Sequence, residues 1–176
     1  LHLGALLPDE AIELVCQRLG VGALPEPVAR LIREKAEGQP FFSEELAYAL
    51  RDAGLITIAG GVCRLAPGAG DLRGLDFPDT VQGIVTSRID RLTPQQQLAL
   101  KVASVIGRVF AFRILQGIYP LELDRTRLTD DLATLARLDI TPLDSPEPEL
   151  AYSFKHAITQ DVVYNLMLFA QRRQLH

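Results

Sequence analysis

Few side chains in this chain have the type and spacing for chemistry. The three histidines, His2, His156 and His176, lie far apart and form no metal-ligand spacing. Glu44 and Glu45 are adjacent, and adjacent helical positions point in different directions, so they cannot act as a facing carboxylate pair. We expect them to form a solvated helix start, where the helix dipole favours negative charge. The sequence therefore predicts no catalytic residue and no metal site.

Phosphate chemistry is also missing from the sequence. No Gly-x-x-x-x-Gly-Lys-Ser/Thr loop is present, and no strand ends in a run of acidic residues. Phosphoryl transfer needs a phosphate cradle, a metal and a positioned water, so we expect no ATPase activity from this chain alone. His156 precedes a predicted helix, and helix N-termini attract anions. It is either an anion contact or a partly exposed histidine without a ligand, and the sequence leaves both open.

The totals describe a chain of one large or two small domains with ample apolar content. It has 176 residues, is 48% hydrophobic and carries a formal charge of −4, which disfavours nucleic-acid binding. No apolar run approaches the roughly 20 residues of a membrane helix, and no secretory signal is visible, so a cytoplasmic protein is expected. The start at Leu1 and the single methionine, Met167, indicate an excised piece of a longer protein. Cys16 and Cys63 are expected as reduced thiols, with a disulfide between them as the open alternative.

The first 54 residues predict three short helices joined by tight connections. The first runs from Pro8 to a stop at Gly20, and the second runs from Pro27 to about residue 36. Gly38 suits the left-handed residue after a helix, and Pro40 suits the first turn of the next one. Apolar residues then follow a helical period along the third helix, at Phe42, Leu46, Ala49, Leu50 and Ala53.

The remaining residues predict a hairpin, a linker and a second domain. Strands at 55–59 and 62–65 flank a Gly60–Gly61 turn, and 66–77 reads as a loop, so 55–77 is a hairpin and linker. In 78–170 we expect a helix from Pro78, a helix after the Thr93 capping box, a short helix over 110–118 and a helix capped by Asp124. Strands at 140–143 and 150–154 and a helix from 157 to at least 170 follow. This order predicts a winged-helix domain with a small β-wing, in a fold that is mainly α overall.

The segment from Gly38 to Leu46, Gly-Gln-Pro-Phe-Phe-Ser-Glu-Glu-Leu, resembles a motif of a known protein class. It is similar to the Gly-Asn-Pro-Phe-Phe-x-x-Glu-Leu segment of the signal-transduction ATPases with numerous domains, the STAND class of AAA-like ATPases. The resemblance is to the ATPase module that accompanies class III adenylate/guanylate cyclase domains and large transcriptional activators. It implies that Gly38 and Pro40 lie at a nucleotide pocket, with Pro40 near the adenine and Phe41 beside it. Gln39 replaces the usual asparagine.

Four further strings resemble that module in the same order. They are Phe77-Pro78-Asp79-Thr80-Val81 with Ser87-Arg88-Ile89-Asp90-Arg91-Leu92, then Ala103-Ser104-Val105-Ile106-Gly107-Arg108-Val109-Phe110, then Tyr152-Ser153-Phe154-Lys155-His156-Ala157 with Val162-Val163-Tyr164, and Arg172-Arg173-Gln174-Leu175-His176. The resemblance covers nearly the whole chain. It implies a helical lid over 1–54, a winged helix over 78–170 and, at 171–176, the start of a downstream helical region.

The resemblance also implies a function, partners and a nucleotide. The lid and winged helix would complete and gate an ATP/ADP site, with Mg, and relay its state to a cyclase or a transcription regulator. An upstream P-loop core would bind most of the nucleotide, and none is expected on this chain alone. His156 resembles the histidine of a Met-His-Asp motif that approaches the β-phosphate of ADP, although Ala157 replaces the aspartate.

Two other functions stay open at this stage. A DNA-binding winged helix would use the helix from about Arg125 to Leu138, but besides three arginines this helix carries Asp130 and Asp131, which disfavours phosphate contact. A protein–protein interaction module is the second alternative. A last helix that continues past the chain would leave apolar surface exposed and favour self-association.

Overall fold

Helices dominate the structure, a computed structural model that describes residues 5–120, 125–146, 148–168 and 172–173. Two small antiparallel sheets complete the described part, so the fold is mixed but largely helical. The chain divides into two compact units, Leu1–Arg88 and Ile89–His176. The predicted boundary after residue 77 falls in the loop before the fourth helix, whereas the division between the two units falls within that helix.

The first unit begins with three helices: α1 (Pro8–Leu19), α2 (Glu26–Ala36) and α3 (Pro40–Asp52). Each carries a proline in its first turn, where a missing N–H costs nothing. The predicted stop of α1 is confirmed, since Gly20 follows it with φ of 67°. α3 packs against both α1 and α2. Every residue of α3 from Phe42 to Leu50 is buried, so the predicted apolar stripe is only part of its packed surface.

The hairpin has the predicted turn and pairing. β1 (Ile56–Ala59) pairs with β2 (Val62–Leu65), with Ala59 opposite Val62. Gly60 and Gly61 have φ of 54° and 74°, the positive values that a two-residue hairpin turn of this hand requires. Ile56 and Cys63 are buried in the same apolar core as the three helices.

The helix predicted to start at Pro78 starts later, as α4 (Val81–Asp90). Thr80 caps it: the backbone N–H of Gly83 donates to the Thr80 hydroxyl at 3.1 Å, and that of Ile84 donates to the Thr80 carbonyl at 3.0 Å. The hydroxyl of Thr80 therefore sets the start of α4, because Pro78 has no side-chain acceptor to offer the first turn.

The second unit contains α5 (Pro94–Ile106), β3 (Val109–Ala111), α6 (Phe112–Ile118), α7 (Arg125–Arg137), β4 (Leu143–Ser145), β5 (Ala151–Ser153) and α8 (Ala157–Asn165). The predicted capping box of α5 is confirmed, because Thr93 and Gln96 exchange side-chain and backbone hydrogen bonds at 3.1 and 3.3 Å. The sheet is antiparallel in the order β3-β5-β4. The Phe110 ring lies 6.0 Å from that of Tyr152 and 5.7 Å from that of Phe154, between centroids.

Three predicted elements of this unit need correction. The helix expected over 110–118 begins only at Phe112, because Val109–Ala111 pairs with β5 as a strand. The strand expected over 140–143 lies at Leu143–Ser145. The last helix is assigned to Asn165, and residues 169–170 lie outside the described residues, as do Asp124 and, apart from Arg172 and Arg173, the 171–176 segment.

None of the helices in the described ranges combines the length and the apolarity that are needed to span a bilayer.

Candidate functional site

The connection between α2 and α3, residues 38–40, is termed the Gly-x-Pro corner, and Gly38 gives it its shape. Gly38 is buried and has φ of 75°. The Leu6 N–H donates to the Gly38 carbonyl at 2.8 Å. A Cβ at position 38 would lie 2.2 Å from the Leu6 carbonyl oxygen, so the approach of the two backbones excludes any side chain. Gly38 therefore acts through backbone shape.

Pro40 lies on the outside of the same corner. It is the first residue of α3 and is exposed, as is Gln39, while Phe41 is half-buried. The Gln39 carbonyl accepts two hydrogen bonds from Ser43, from its backbone N–H at 3.0 Å and from its hydroxyl at 2.9 Å. These bonds fix the first turn of α3, so the ring of Pro40 is presented to solvent from a rigid base.

A cleft of about 430 Å³ opens beside the Gly-x-Pro corner. It is lined by Glu34, Lys35, Glu37, Gln39, Phe42, Asp79, Thr80 and Val81. Lys35 donates to the Asp79 carboxylate and, at 3.0 Å, to the Phe77 carbonyl. Three carboxylates and one lysine that is already paired make the lining acidic.

The prediction that Glu44 and Glu45 form a solvated helix start is wrong. They are 4% and 1% exposed. The Arg18 Nε donates to Glu44 Oε1 at 3.1 Å, and the Arg88 Nη1 donates to Glu45 Oε2 at 2.7 Å. A carboxylate is buried only when a partner compensates it, and here arginines from α1 and α4 supply the compensation.

The Arg88 network, formed by Glu45, Tyr48, Arg51, Asp52 and Arg88, connects α3 with α4 around a buried guanidinium. The Arg88 Nε also donates to Asp52 Oδ2 at 2.8 Å, and its guanidinium lies 5.1 Å from the Tyr48 ring centroid. Arg51 lies 4.8 Å from the same centroid and pairs with Asp52 at 3.1 Å. Burial lowers the pKa of Arg88, but Glu45 and Asp52 outweigh it and raise that pKa above its usual value, so Arg88 is a permanent cation.

Sequence reasoning missed this network, although one signal points to it. Ile84, Val85, Arg88 and Ile89 fall on one helical face, so Arg88 occupies a position in an otherwise apolar stripe. A charged residue at such a position needs a buried partner. The sequence cannot say which one, because Glu45 is on a different helix.

His156 lies in the second unit as the N-cap residue of α8, with φ of −129°. It is half-buried, its Nε2 atom is inaccessible to solvent, and its backbone carbonyl accepts the Thr159 N–H at 3.1 Å. Gly38, Pro40 and Phe41 are thus brought together in the first unit, and His156 belongs to the second. Within the described ranges, no group of three or more His, Cys, Asp or Glu residues could hold a metal ion.

The described residues therefore form a largely helical fold with two small sheets, and comparison with known proteins adds one match. Residues 8–64 match a family model described as a domain of unknown function (DUF8739). The matched range contains α1 to α3, the Gly-x-Pro corner and the hairpin. No curated protein and no solved structure matches the chain.

Proposed function

We propose that this chain is the lid and winged-helix portion of a STAND-type regulatory ATPase. Its first unit would close over the adenine side of an ATP or ADP molecule whose phosphates and Mg are held by an upstream P-loop core. Its second unit would follow the nucleotide state and pass it to an output domain, a cyclase or a transcription regulator. The chain alone would bind no nucleotide and hydrolyse none.

The exposed position of Pro40 is the observation that supports the proposal most directly. An exposed proline ring at a fixed helix start offers a flat apolar surface, which is what a base can stack against. The rigid base comes from Gly38, whose backbone contact with Leu6 allows no side chain. Half-buried Phe41 follows directly and would widen that surface.

The acidic lining of the neighbouring cleft supports an orientation in which the phosphates of the nucleotide point away from it. Glu34, Glu37 and Asp79 line the cleft beside Pro40, and the only lysine there is paired with Asp79. Such a lining repels phosphate but accepts the amino and hydroxyl donors of a base or ribose. The phosphates must then point away from this cleft, toward groups that the first unit does not supply.

The element order of the second unit supports the winged-helix assignment. Helix, short strand, helix, helix and a two-stranded hairpin follow each other as α5, β3, α6, α7, β4 and β5, and β3 joins the hairpin in one sheet. The N-terminus of α8 would give His156 an anion-attracting setting for a phosphate. Because its Nε2 is buried, such a contact would have to use Nδ1 or follow a rearrangement.

A second candidate, a protein–protein interaction module, is favoured by exposed apolar side chains in the second unit. Leu168, Val109 and Leu143 are 70%, 53% and 49% exposed. Val109 and Leu143 belong to β3 and β4, the two outer strands of the sheet. Such residues would support self-association or contact with downstream helical repeats, without any nucleotide.

Calorimetric titration of ADP and ATP separates the two candidates. The 176-residue chain and a longer natural chain that includes a P-loop core would each be titrated, as wild type and with Pro40→Ala. Pro94→Ala is the matched control, because Pro94 is also an exposed first residue of a helix. We expect the short chain to be silent and the long chain to bind, more weakly with Pro40→Ala and unchanged with Pro94→Ala. If the long chain binds nucleotide equally well as wild type and with Pro40→Ala, the lid assignment is wrong.

A further inference from the structure

The Arg88 network joins α3 to the part of α4 that lies in the first unit, through a single buried guanidinium. We propose that Arg88 is a positioning residue that selects one register of α4 on α3, which means one position of α4 along the axis of α3. This selection belongs to the nucleotide-free chain and needs no contact at Pro40. The apolar residues of α4 attach this helix to the core, and Arg88 fixes the position at which the helix packs.

The α3 residues that contact Arg88 lie on one face of that helix. Glu45, Tyr48 and Asp52 are spaced i, i+3 and i+7, which places them on a single stripe over two helical turns. Arg88 donates from Nη1 to Glu45 at 2.7 Å and from Nε to Asp52 at 2.8 Å. Two directional bonds from different nitrogens of one planar group fix both its height along α3 and its orientation.

Apolar contacts on α4 make that selection less sharply than Arg88 does. Ile84, four residues before Arg88 on the same face, is fully buried in the core of the first unit. Apolar burial is non-directional, so a shift of α4 by one turn, about 5.4 Å, could preserve much of it. The same shift would separate Arg88 from Glu45 and Asp52, leaving the buried Arg88 and Glu45 charges without these partners and Asp52 with Arg51 alone.

The network is better suited to selection than to stability. Arg88, Glu45 and Asp52 have side chains that are 3%, 2% and 7% exposed, so all three are desolvated. Replacing such a set with apolar residues is often neutral or stabilising, whereas removing one member is strongly destabilising. A chain with an apolar replacement would therefore fold but would lose its preference for a single register.

Spin-label distances measure the register directly. Nitroxides would be attached at Arg33→Cys on α2 and Gln82→Cys on α4, both exposed positions of the first unit, after Cys16→Ser and Cys63→Ala. The variants compared are the otherwise unchanged chain, the triple variant Glu45→Leu, Asp52→Leu, Arg88→Met, and Arg18→Met. Arg18→Met is the matched control, because its pair with Glu44 also involves α3 but leaves the arginine half exposed.

We expect one narrow distance for the unchanged chain and for Arg18→Met. The triple variant should unfold cooperatively but show a broadened distribution or a second maximum about one helical turn away. Arg88→Met alone should raise the unfolding equilibrium constant by roughly a hundredfold or more, since it removes the arginine partner of the buried Glu45 carboxylate and leaves Asp52 with Arg51 alone. A triple variant with the single narrow distance of the unchanged chain, or a less than tenfold effect of Arg88→Met, would overturn the proposal.

Discussion

Replacing Gly38 with alanine should be far more costly than the same change at another left-handed glycine. Gly38 has φ of 75°, and a Cβ there would lie 2.2 Å from the Leu6 carbonyl oxygen. Gly54, which follows α3, has φ of 70°, and a Cβ there would meet no atom within 4 Å. The two glycines share a backbone conformation and differ in the space around them, so Gly54→Ala is the matched control.

The cost of each variant can be worked out from its backbone conformation and, for Gly38, from the contact with Leu6. Left-handed backbone costs an L-residue roughly 1–2 kcal/mol, and both variants lose this amount. At Gly38 the 5–7 segment must also move, which breaks the 2.8 Å hydrogen bond from the Leu6 N–H to the Gly38 carbonyl. That bond is worth about 0.5–1.5 kcal/mol, and the displaced contacts of half-buried Leu6 add to the loss. We expect about 2–4 kcal/mol for Gly38→Ala and about 1–2 kcal/mol for Gly54→Ala.

Equilibrium unfolding in urea measures both values from the shift in midpoint at constant slope. A chain that lacks residues 1–6 provides the internal test, because without Leu6 the cost of Gly38→Ala should fall to that of Gly54→Ala. Equal costs in the complete chain would refute the reasoning, since the backbone approach at Leu6 would then have no energetic weight.

Two further predictions concern groups with raised pKa values. Burial, and then the charge of Asp131, raise the pKa of Tyr119 to about 12, so its stabilising contribution is complete below pH 10 and is lost as the pH rises through about 12. Asp131→Asn should lower that pKa without restoring it to 10, and Tyr119→Phe should remove this step from the phenolate absorbance titration. Burial also raises the thiol pKa values of Cys16 and Cys63, with smaller contributions from neighbouring Glu13 and from Cys16, respectively. Both thiols should therefore react with an alkylating reagent much more slowly at neutral pH in the folded chain than in urea, and equal rates would contradict their burial.

Local signals in the sequence predicted much of the helical framework. Proline and glycine mark the two ends of α1, and the Thr93 capping box marks the start of α5, since these features act within one or two turns. The hairpin followed from Gly60–Gly61, whose positive φ values few other residues adopt. Each of these elements depends on residues that are neighbours in the chain.

The elements that sequence reasoning missed depend on distant residues. β3 is only three residues long, and its strand conformation comes from pairing with β5 about forty residues later. Glu45 looked solvated because a charged residue early in a helix is usually exposed, and the arginine that allows its burial lies 43 positions away. The Gly-x-Pro corner was predicted from its own residues, but the contact with Leu6 that makes Gly38 necessary was not.

The burial of α3 limits how a ligand at the Gly-x-Pro corner could act on the rest of the first unit. Pro40 begins α3, and Glu45 and Asp52, one and a half and more than three turns further along, hold Arg88 of α4. A helix buried on every side cannot shift gradually, because close-packed interiors resist small displacements. A ligand that prefers one position of Pro40 would therefore change the balance between discrete placements of α3, and the paired charges at Arg88 make intermediate placements costly. If a nucleotide binds the longer chain as proposed, its effect on α4 should be all-or-none. Spin-label distances taken in that longer chain at partial saturation should show two fixed maxima that exchange intensity rather than one that moves.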